Sequence, residues 1–459
     1  MALPHHIDAL EHEPVGKLLL QYSMPAIAGM AAMSLYNVID SAFIGYGVGA
    51  HALAALAVAF PIMNLGAALG TLVGLGGASA SSITLGRKDR AAAFRVLGHC
   101  TVLSILFGVL FGWCALPFLD DLLILFGASR ETLPYARDFM FICLLIQPLT
   151  YCLFNLNHII RSTGYPRKAM NSLLLSVVCN VVLAPIFIFA LEWGMTGAAL
   201  ATALSQTAAL IRVLRHFADA RSTIHFIKGI CKLDYRLAGW ICFLGLPPCI
   251  VNAGACLVTI IVNRQLLFHG GDMAVGAFGI INRLLILFGM LVVGITQGMQ
   301  PIAGYNLGAG RFGRVKKVLW CAIFAATAVT TAGFVSGEFA PRWIVALFTN
   351  EPALADIAIP GLRRCLIIFP LVGSQIVIGN FFQAIGRPKL SVFLSLTRQI
   401  LFLMPLLFIL PEWYGLYGVW YSYAASDALS IVVGFGTLYC FFRRFLHSPG
   451  GSGSGRELR

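Results

Sequence analysis

The stretch that decides the fold is residues 18–43, which read LLLQYSMPAIAGMAAMSLYNVIDSAF. It is apolar over a length that can cross a bilayer, since a membrane-spanning helix needs about 20 such residues. One carboxylate, Asp40, interrupts it, and the stretch contains no basic residue that could pair with this group. A charged side chain at membrane depth costs from about 2.5 to more than 10 kcal/mol, so an intramembrane aspartate indicates a functional site.

Two polar residues precede Asp40 by about one helical turn. Asn37 lies three positions and Tyr36 four positions before it, and residues with these spacings share one side of a helix. We therefore expect Tyr36 and Asn37 to offer hydrogen bonds to Asp40, on a side that faces protein or water. The alternative is a polar residue that only fixes helix packing, but a serine or asparagine would do this without the cost of an ionisable group.

The composition of the whole chain is that of a polytopic membrane protein. Of its 459 residues, 59% are hydrophobic and 11% are charged, whereas soluble domains average about 25% charged. The twelve cysteines are scattered singly, without the paired spacing of a zinc or redox motif. The adjacent His5 and His6 lie in a polar tail, and we predict neither a metal site nor a cofactor.

Twelve apolar runs are long enough to cross the membrane. Their limits are 16–43, 51–84, 97–117, 136–160, 169–191, 197–216, 237–268, 273–305, 317–341, 361–384, 391–410 and 416–442. Connectors rich in lysine and arginine alternate with connectors that carry acidic residues. By the positive-inside rule, both termini are cytoplasmic, and we expect a plasma (inner) membrane protein. This orientation explains the net charge of +13 with anionic lipid as the counterpart and without a nucleic-acid partner.

An internal repeat relates the two halves at an offset of about 222 residues. Residues 164–166 (GYP) match 386–388 (GRP), and residues 85–86 match 307–308, both LG. The sequence therefore predicts an all-α membrane protein with two six-helix lobes, related by a pseudo-twofold axis along the membrane normal. The predicted units are a cytoplasmic tail 1–14, an N-lobe 15–214, a cytoplasmic linker 215–235, a C-lobe 236–445 and a tail 446–459, which resembles a flexible linker added for expression.

Several segments resemble the multidrug and toxic compound extrusion (MATE) family of the multidrug/oligosaccharidyl-lipid/polysaccharide exporter superfamily. They are YNVID at 36–40, FIG at 43–45, GAALAT at 197–202, QPIAGYNLGA at 300–309 and QAIGRP at 383–388. The resemblance covers about residues 15–445 and is most specific at 300–309. It implies a secondary active antiporter that exports cationic or amphipathic compounds in exchange for protons or sodium, by alternating between outward-open and inward-open states.

Within this family the chain looks closest to the DinF-like branch. There the coupling carboxylate lies on the first helix, and an asparagine and a threonine of the fifth and sixth helices join it; the matching residues are Asp40, Asn180 and Thr202. The branch pattern continues Asn-x-x-x-Asp, but residue 184 is alanine here. We therefore expect proton coupling that rests mostly on Asp40, with sodium as the alternative. From the residues alone, Asn180 and Thr202 could equally serve helix packing.

Methionine and aromatic residues of the spans could line a cavity for lipophilic cations, through adaptable and cation–π contacts. The candidates are Met33, Phe60, Met63, Phe154, Met290 and Met299, although the same residue types also serve plain packing. Four charged residues within the C-lobe spans have no assigned role, namely Arg264, Arg283, Arg398 and Asp427. The sequence leaves open whether Asp427 titrates or pairs with Arg398.

Two other functions fit parts of this pattern. A flippase for lipid-linked oligosaccharide or peptidoglycan precursors would often carry more spans and more basic cavity residues than this chain does. An intramembrane enzyme would need paired aspartates, a Ser–Lys pair or a His-Glu-x-x-His motif within the spans, and these are absent from the sequence. We therefore expect a monomeric transporter in contact with membrane lipids, and not an enzyme.

Overall fold

The computed structural model describes residues 5–227, 229, 233–348 and 351–446, and these residues form helices and connecting turns without a strand. The N-lobe helices are α1 (Val15–Gly47), α2 (Ala50–Gly86), α3 (Arg90–Ala115), α4 (Leu133–Leu145 with Gln147–Ser162), α5 (Pro166–Pro185) and α6 (Gly194–Ala218). The C-lobe helices are α7 and α8 (Tyr235–Gly308, divided at Gly271), α9 (Phe312–Phe339), α10 (Pro352–Leu366 with Phe369–Ala384), α11 (Pro388–Leu396, continued by Met404–Tyr414) and α12 (Leu416–Leu446).

Shorter elements lie between and within these helices. They are His5–His12 before α1, Leu116–Phe118 and Leu119–Leu125 after α3, Pro341–Ala346 after α9, and π-helical turns at Ile186–Ala190 and Thr397–Leu403. Residues 447–459 of the predicted tail and 228 and 230–232 of the predicted linker lie outside the described residues.

The described helices supply the twelve predicted crossings. Nine are long and apolar enough by themselves, and the bent pairs α4 and α10 add two. The segment Tyr235–Gly308 has 74 residues, about 110 Å as one helix, and it breaks at Gly271, where φ is +66°, so it crosses twice. The predicted runs at 136–160 and 361–384 correspond to spans that the structure bends by 57° and 54°.

The backbone repeats itself at the offset seen in the sequence. Positive φ values occur in equivalent pairs, at Gly49 and Gly271, Lys88 and Gly310, Gly164 and Gly386, and Gly194 and Gly415. The first three pairs are 222 residues apart and the last 221. The two bent spans are likewise equivalent. The predicted pair of related six-helix lobes is therefore confirmed by local backbone geometry.

The lobes meet where α2 packs on α7 and α8 and where α1 packs on α8. Two glycines allow an equivalent pair of close approaches: a Cβ at Gly86 would collide with the Tyr305 carbonyl oxygen, and one at Gly308 with the Ile83 carbonyl oxygen. The 222-residue offset converts one of these contacts into the other. Only glycine lets two backbones come so close. Each lobe contributes one of these two equivalent contacts across the pseudo-twofold axis.

The contacts between the lobes are concentrated toward one end of the bundle, the end from which α1 starts. Ser23 Oγ donates to the Ile295 carbonyl at 3.4 Å, and Gln300 Nε2 donates to Ser79 Oγ at 2.7 Å. Ser34 Oγ also bonds to Met290 of the C-lobe. Beyond it, residues 35–71 of α1 and α2 make their described side-chain hydrogen bonds and ion pairs within the N-lobe, and the space between the lobes on that side is here called the cleft.

The segment before α1 adds to this closed end. Leu10 is buried in the core shared by the lobes, and the Glu11 carboxylate pairs with Arg311 at the start of α9. Arg314 Nη2 donates to the carbonyls of Leu10 and Glu13 at 3.1 and 2.7 Å. Residues 5–13, here called the N-terminal latch, therefore attach the start of the N-lobe to the C-lobe.

Candidate functional site

Asp40 lies inside the N-lobe, where the residue is 8% exposed. Its Oδ1 atom has no hydrogen-bond partner among the described residues. A buried carboxylate loses hydration, and without a partner this loss is uncompensated. The group is therefore chemically suited to bind a proton or a cation that reaches it.

A small hydrogen-bond network beside Asp40 joins three helices. The hydroxyl of Tyr36 on α1 lies 3.1 Å from Thr202 Oγ1 on α6, and Asn180 Nδ2 on α5 donates to the same Thr202 oxygen at 3.2 Å. Asn180 and Thr202 are both buried. The structure thus brings together the residues that the family resemblance implied.

The expected hydrogen bonds to Asp40 are not formed, and this corrects the local prediction. Within the described residues, neither Tyr36 nor Asn37 donates to the carboxylate: the long Tyr36 side chain reaches Thr202 instead. Asn37 is exposed, and its carbonyl accepts a hydrogen bond from Ser41 Oγ at 2.8 Å. Asn37 lies three positions before Asp40, so the two side chains are not aligned along the helix, and that of Asn37 lies outside the buried site.

Ala184 stands where the DinF-like pattern has a second carboxylate. It is fully buried in an apolar cluster that includes Ile44, Ala52 and Ile188. This part of the N-lobe therefore supplies no side-chain oxygen at that position. Sequence reasoning did not single out Cys143 of α4, whose thiol lies near Tyr36 and Asp40, because a single cysteine in an apolar run gives no signal.

The predicted cavity residues differ in their burial. Phe60 and Met63 are exposed, while Met33, Phe154 and Met290 are half-buried. Met290 also joins the lobes, because its sulfur accepts a hydrogen bond from Ser34 Oγ at 3.1 Å. Met299 is different: it is fully buried in the core at the closed end. It does not line the cleft in this arrangement, because its part of α8 is packed between the lobes.

The unassigned charges of the C-lobe also have definite places. Arg398 pairs with Asp427 at 2.7 Å, which answers the question that the sequence left open. Arg283 stacks over the Phe348 ring at 5.5 Å, and Arg264 is exposed. In the part of the chain that the structure describes, no group of three or more His, Cys, Asp or Glu side chains could hold a metal ion.

Arg161 follows directly after the predicted run 136–160 and so falls in a predicted basic connector, but the structure places it in the last turn of α4. Its side chain is buried, and Nη1 donates to Gln297 Oε1 of the other lobe. It belongs to the closed end of the lobe interface. The bend within α4 lets the last part of this span pack against α2 and α3, and no periodicity in the sequence shows that bend.

Comparison with known protein families gives a match in each half of the chain. The family model MatE matches residues 25–186 and again residues 247–409. The chain belongs to the MatE family. The two matches of this MatE protein start 222 residues apart, at the offset of the repeat. The predicted MATE membership is confirmed.

Similar proteins cover almost the whole chain. The multidrug export protein MepA of Staphylococcus aureus (strain MRSA252) is 26% identical over 419 residues, which are 91% of this MatE protein and 92% of that one. MepA of Staphylococcus haemolyticus (strain JCSC1435) gives the same identity and shares. The solved structure of the MATE multidrug transporter DinF-BH in complex with the dye rhodamine 6G is 34% identical, with a TM-score of 0.84, over 93% of this chain and 97% of that chain.

A second solved structure agrees in fold. It is described as the outward-facing conformation of a multidrug resistance MATE family transporter and has a TM-score of 0.89, covering 96% of this chain and 98% of that chain at 24% identity. The likeness to DinF-BH is consistent with the predicted DinF-like branch.

Proposed function

We propose that this MatE-family protein exports lipophilic cations and other amphipathic compounds across the plasma membrane in exchange for protons. The observation that carries the proposal is the buried Asp40 carboxylate with an unpartnered oxygen, in a lobe that borders an open cleft. The similarity to MepA, named a multidrug export protein, and to DinF-BH, solved with rhodamine 6G, supports this class of cargo. The protein is a transporter and not an enzyme.

One carboxylate is enough for exchange. Asp40 attracts a cationic cargo when it is charged, and it loses that attraction when it binds a proton. Cargo and proton therefore compete for the same group, so that protonation on the outer side favours release and deprotonation toward the cytoplasm resets the carrier. Tyr36, Asn180 and Thr202 hold the three helices around this group in register.

The contacts between the lobes support an outward-open arrangement. The closed end contains the N-terminal latch and the connector residues that the positive-inside rule assigns to the cytoplasm. The cleft then opens outward. Export requires the contacts at Gly86, Gly308 and the latch to separate when the lobes rock toward the inward-open state.

Protons rather than sodium suit the chemistry of the site. A dehydrated sodium ion needs several oxygen ligands and a compensating negative charge, as hard cations do in general. Asp40, Asn180 and Thr202 offer one charge and two neutral oxygens, and the buried methyl group of Ala184 offers none. A proton needs the carboxylate alone.

The test is transport of a fluorescent cation in proteoliposomes with proton and sodium gradients set independently. We expect a pH gradient alone to drive transport and a sodium gradient alone to have no effect. Asp40→Asn keeps the side-chain volume but cannot titrate, so it should reach the membrane and lose proton-driven transport. Asp272→Asn, at an exposed carboxylate of the C-lobe, is the matched control. Unchanged pH-driven transport by Asp40→Asn would refute the proposed role of this residue.

A further inference from the structure

The C-lobe contains an ion pair at membrane depth that proton exchange at Asp40 does not use. Arg398 Nε on α11 donates to Asp427 Oδ1 on α12 at 2.7 Å. The Asp427 side chain is 8% exposed and the Arg398 side chain 31%. As a rule, such an ion pair does not stabilise a protein more than well-packed apolar residues would. Its presence in two spanning helices therefore points to a use of the charges themselves.

The backbone holds this pair in place from both helices. Around Arg398, α11 changes to a π-helical turn at Thr397–Leu403, a geometry that is frequent at functional sites. Ser426 Oγ, next to Asp427, donates to the Arg398 carbonyl at 2.8 Å. The side-chain and backbone bonds connect the same two points of α11 and α12, so the guanidinium has a fixed position.

The pair also occupies a meaningful place in the repeat. Under the 222-residue offset, Arg398 and Asp427 fall within one helical turn of the positions that correspond to Asn180 and Thr202. Each lobe thus places polar groups on the same two helices, at depths that differ by about one helical turn. The N-lobe group contains a carboxylate without a basic partner, whereas the C-lobe group contains a guanidinium.

Only one edge of this guanidinium is engaged. Asp427 accepts from Nε, while Nη1 and Nη2, with four more N–H donors, make no hydrogen bond to a described residue. Donors in contact with hydrocarbon would be unsatisfied at a cost of several kcal/mol each. The exposed part of Arg398 therefore requires water or a ligand as its partner, and its planar fork matches the two oxygens of a carboxylate.

We propose that Arg398, positioned by Asp427, is an anion subsite of the cleft that receives the carboxylate of zwitterionic cargo. The inference rests on the proposed export function and extends it from cations to molecules that carry both charges. The N-lobe offers Asp40 to the cationic part, and the C-lobe offers Arg398 to the carboxylate. A zwitterion is then attracted to both lobes, while a simple cation depends on the N-lobe.

Two dyes that differ in one group test this subsite. Rhodamine 110 carries a free carboxylate beside its cationic ring system, and rhodamine 123 is its methyl ester, which lacks that charge. Fluorescence anisotropy with the purified full chain in detergent gives the Kd of each dye for the unaltered protein, Arg398→Gln and Arg398→Lys. The control is Arg363→Gln, which changes another arginine of the C-lobe that pairs with a carboxylate, Glu338, at 3.5 Å.

We expect Arg398→Gln to raise the Kd of rhodamine 110 by about tenfold or more, the loss typical of a charged hydrogen bond, and the Kd of rhodamine 123 by less than about twofold. Arg398→Lys keeps the charge without the fork, so its effect should be intermediate. Arg363→Gln should change neither Kd. Equal effects of Arg398→Gln on both dyes, or no effect on either, would overturn the subsite, because a structural pair does not distinguish the dyes.

A variant that fails to fold does not block the test. The double variant Arg398→Gln/Asp427→Asn replaces the pair by two neutral groups that can still hydrogen-bond, and size-exclusion chromatography checks its fold. The same criterion applies to it: a selective loss of rhodamine 110 supports the subsite, and a non-selective result overturns it. If the unaltered protein binds rhodamine 123 but not rhodamine 110, only the subsite is wrong. If it binds neither dye, the proposed export of lipophilic cations is contradicted as well.

Discussion

The hydroxyl of Tyr36 and the Oγ1 atom of Thr202 lie 3.1 Å apart and connect α1 to α6 directly beside Asp40. The carboxylate itself takes no part in this bond. The network therefore fixes the walls of the site while the titrating group stays free to bind. Tyr36 and Thr202 therefore position the helices, and Asp40 binds the proton or the cargo in the proposed exchange.

Tyr36→Phe removes the bond to Thr202 and keeps the ring. We expect a loss of about 1 kcal/mol in stability, the usual net value of one hydrogen bond, measured as a lower thermal unfolding midpoint in detergent. Transport should become slower but remain driven by a pH gradient. Tyr46→Phe, at a tyrosine that is 89% exposed, is the control. A Tyr36→Phe protein that no longer responds to pH would assign the proton step to Tyr36 as well.

Ala184→Asp restores the carboxylate of the DinF-like pattern. We expect it to confer transport driven by a sodium gradient, because a second carboxylate adds oxygen ligands and charge near Asn180 and Thr202. Burial of Ala184 in an apolar cluster means that the variant should also be less stable. Ala184→Asn adds a neutral oxygen only and is the control. Sodium-driven transport in the unaltered protein would show that the missing carboxylate does not decide the ion.

Gly86→Ala and Gly308→Ala should prevent the lobes from closing fully. Each added Cβ collides with a carbonyl of the opposite lobe, and the two collisions are equivalent by the repeat. Both variants should therefore increase thiol labelling of a cysteine introduced at the buried Ser82, and to a similar extent. Gly16→Ala, where a Cβ meets no atom within 4 Å, should have no such effect. A large difference between Gly86→Ala and Gly308→Ala would contradict the symmetry of the contact.

Glu11→Gln should loosen the N-terminal latch. It removes the charge that pairs with Arg311 and leaves the backbone carbonyls that accept from Arg314 in place. For a partly exposed pair we expect roughly a two- to fivefold increase in labelling at the same Ser82 site, equivalent to about 0.5–1 kcal/mol. Glu13→Gln, which removes only the charge that pairs with Lys17 inside the N-lobe, should leave labelling unchanged. Equal labelling of the Glu11→Gln and Glu13→Gln proteins would show that the N-terminal latch does not hold the lobes together.

Cysteines placed at Arg87, Arg167, Lys316 and Lys389 test the orientation of the chain. All four positions should resist an impermeant thiol reagent added to intact cells and react after the membrane is opened, in a background without reactive native cysteines. Cysteines at Asp120 and Asp272 should react from outside. Rapid external labelling of any of the four basic positions would contradict the proposed cytoplasmic location of both termini.

Much of the fold could be predicted because a bilayer imposes a length and a polarity on each crossing, and both are readable in one dimension. The two lobes could be predicted because matching segments recur at an offset of about 222 residues. Asp40 was visible because an intramembrane carboxylate is costly. Asn180 and Thr202 needed the family resemblance, since polar residues of that type are also ordinary packing residues.

The rest depended on contacts between distant helices. Asn37 has the right spacing but points out of the site, and Met299 has the right chemistry but lies between the closed lobes. Arg161 looks like a connector residue and is buried against Gln297. For Arg161 and Met299 the decisive neighbours lie in the other lobe, 136 residues away in the case of Gln297, so no local pattern in the sequence contains them.

The N-terminal latch also sets an order in the making of the protein. Glu11 and Arg311 are 300 residues apart in the chain. At a synthesis rate of about 5–20 residues per second, roughly 15–60 s separate the appearance of the two residues on the ribosome. The N-terminal latch is therefore translated long before the part of the C-lobe that it contacts. A chain that ends before α9 can insert its N-lobe, but the N-terminal latch then lacks its partner Arg311.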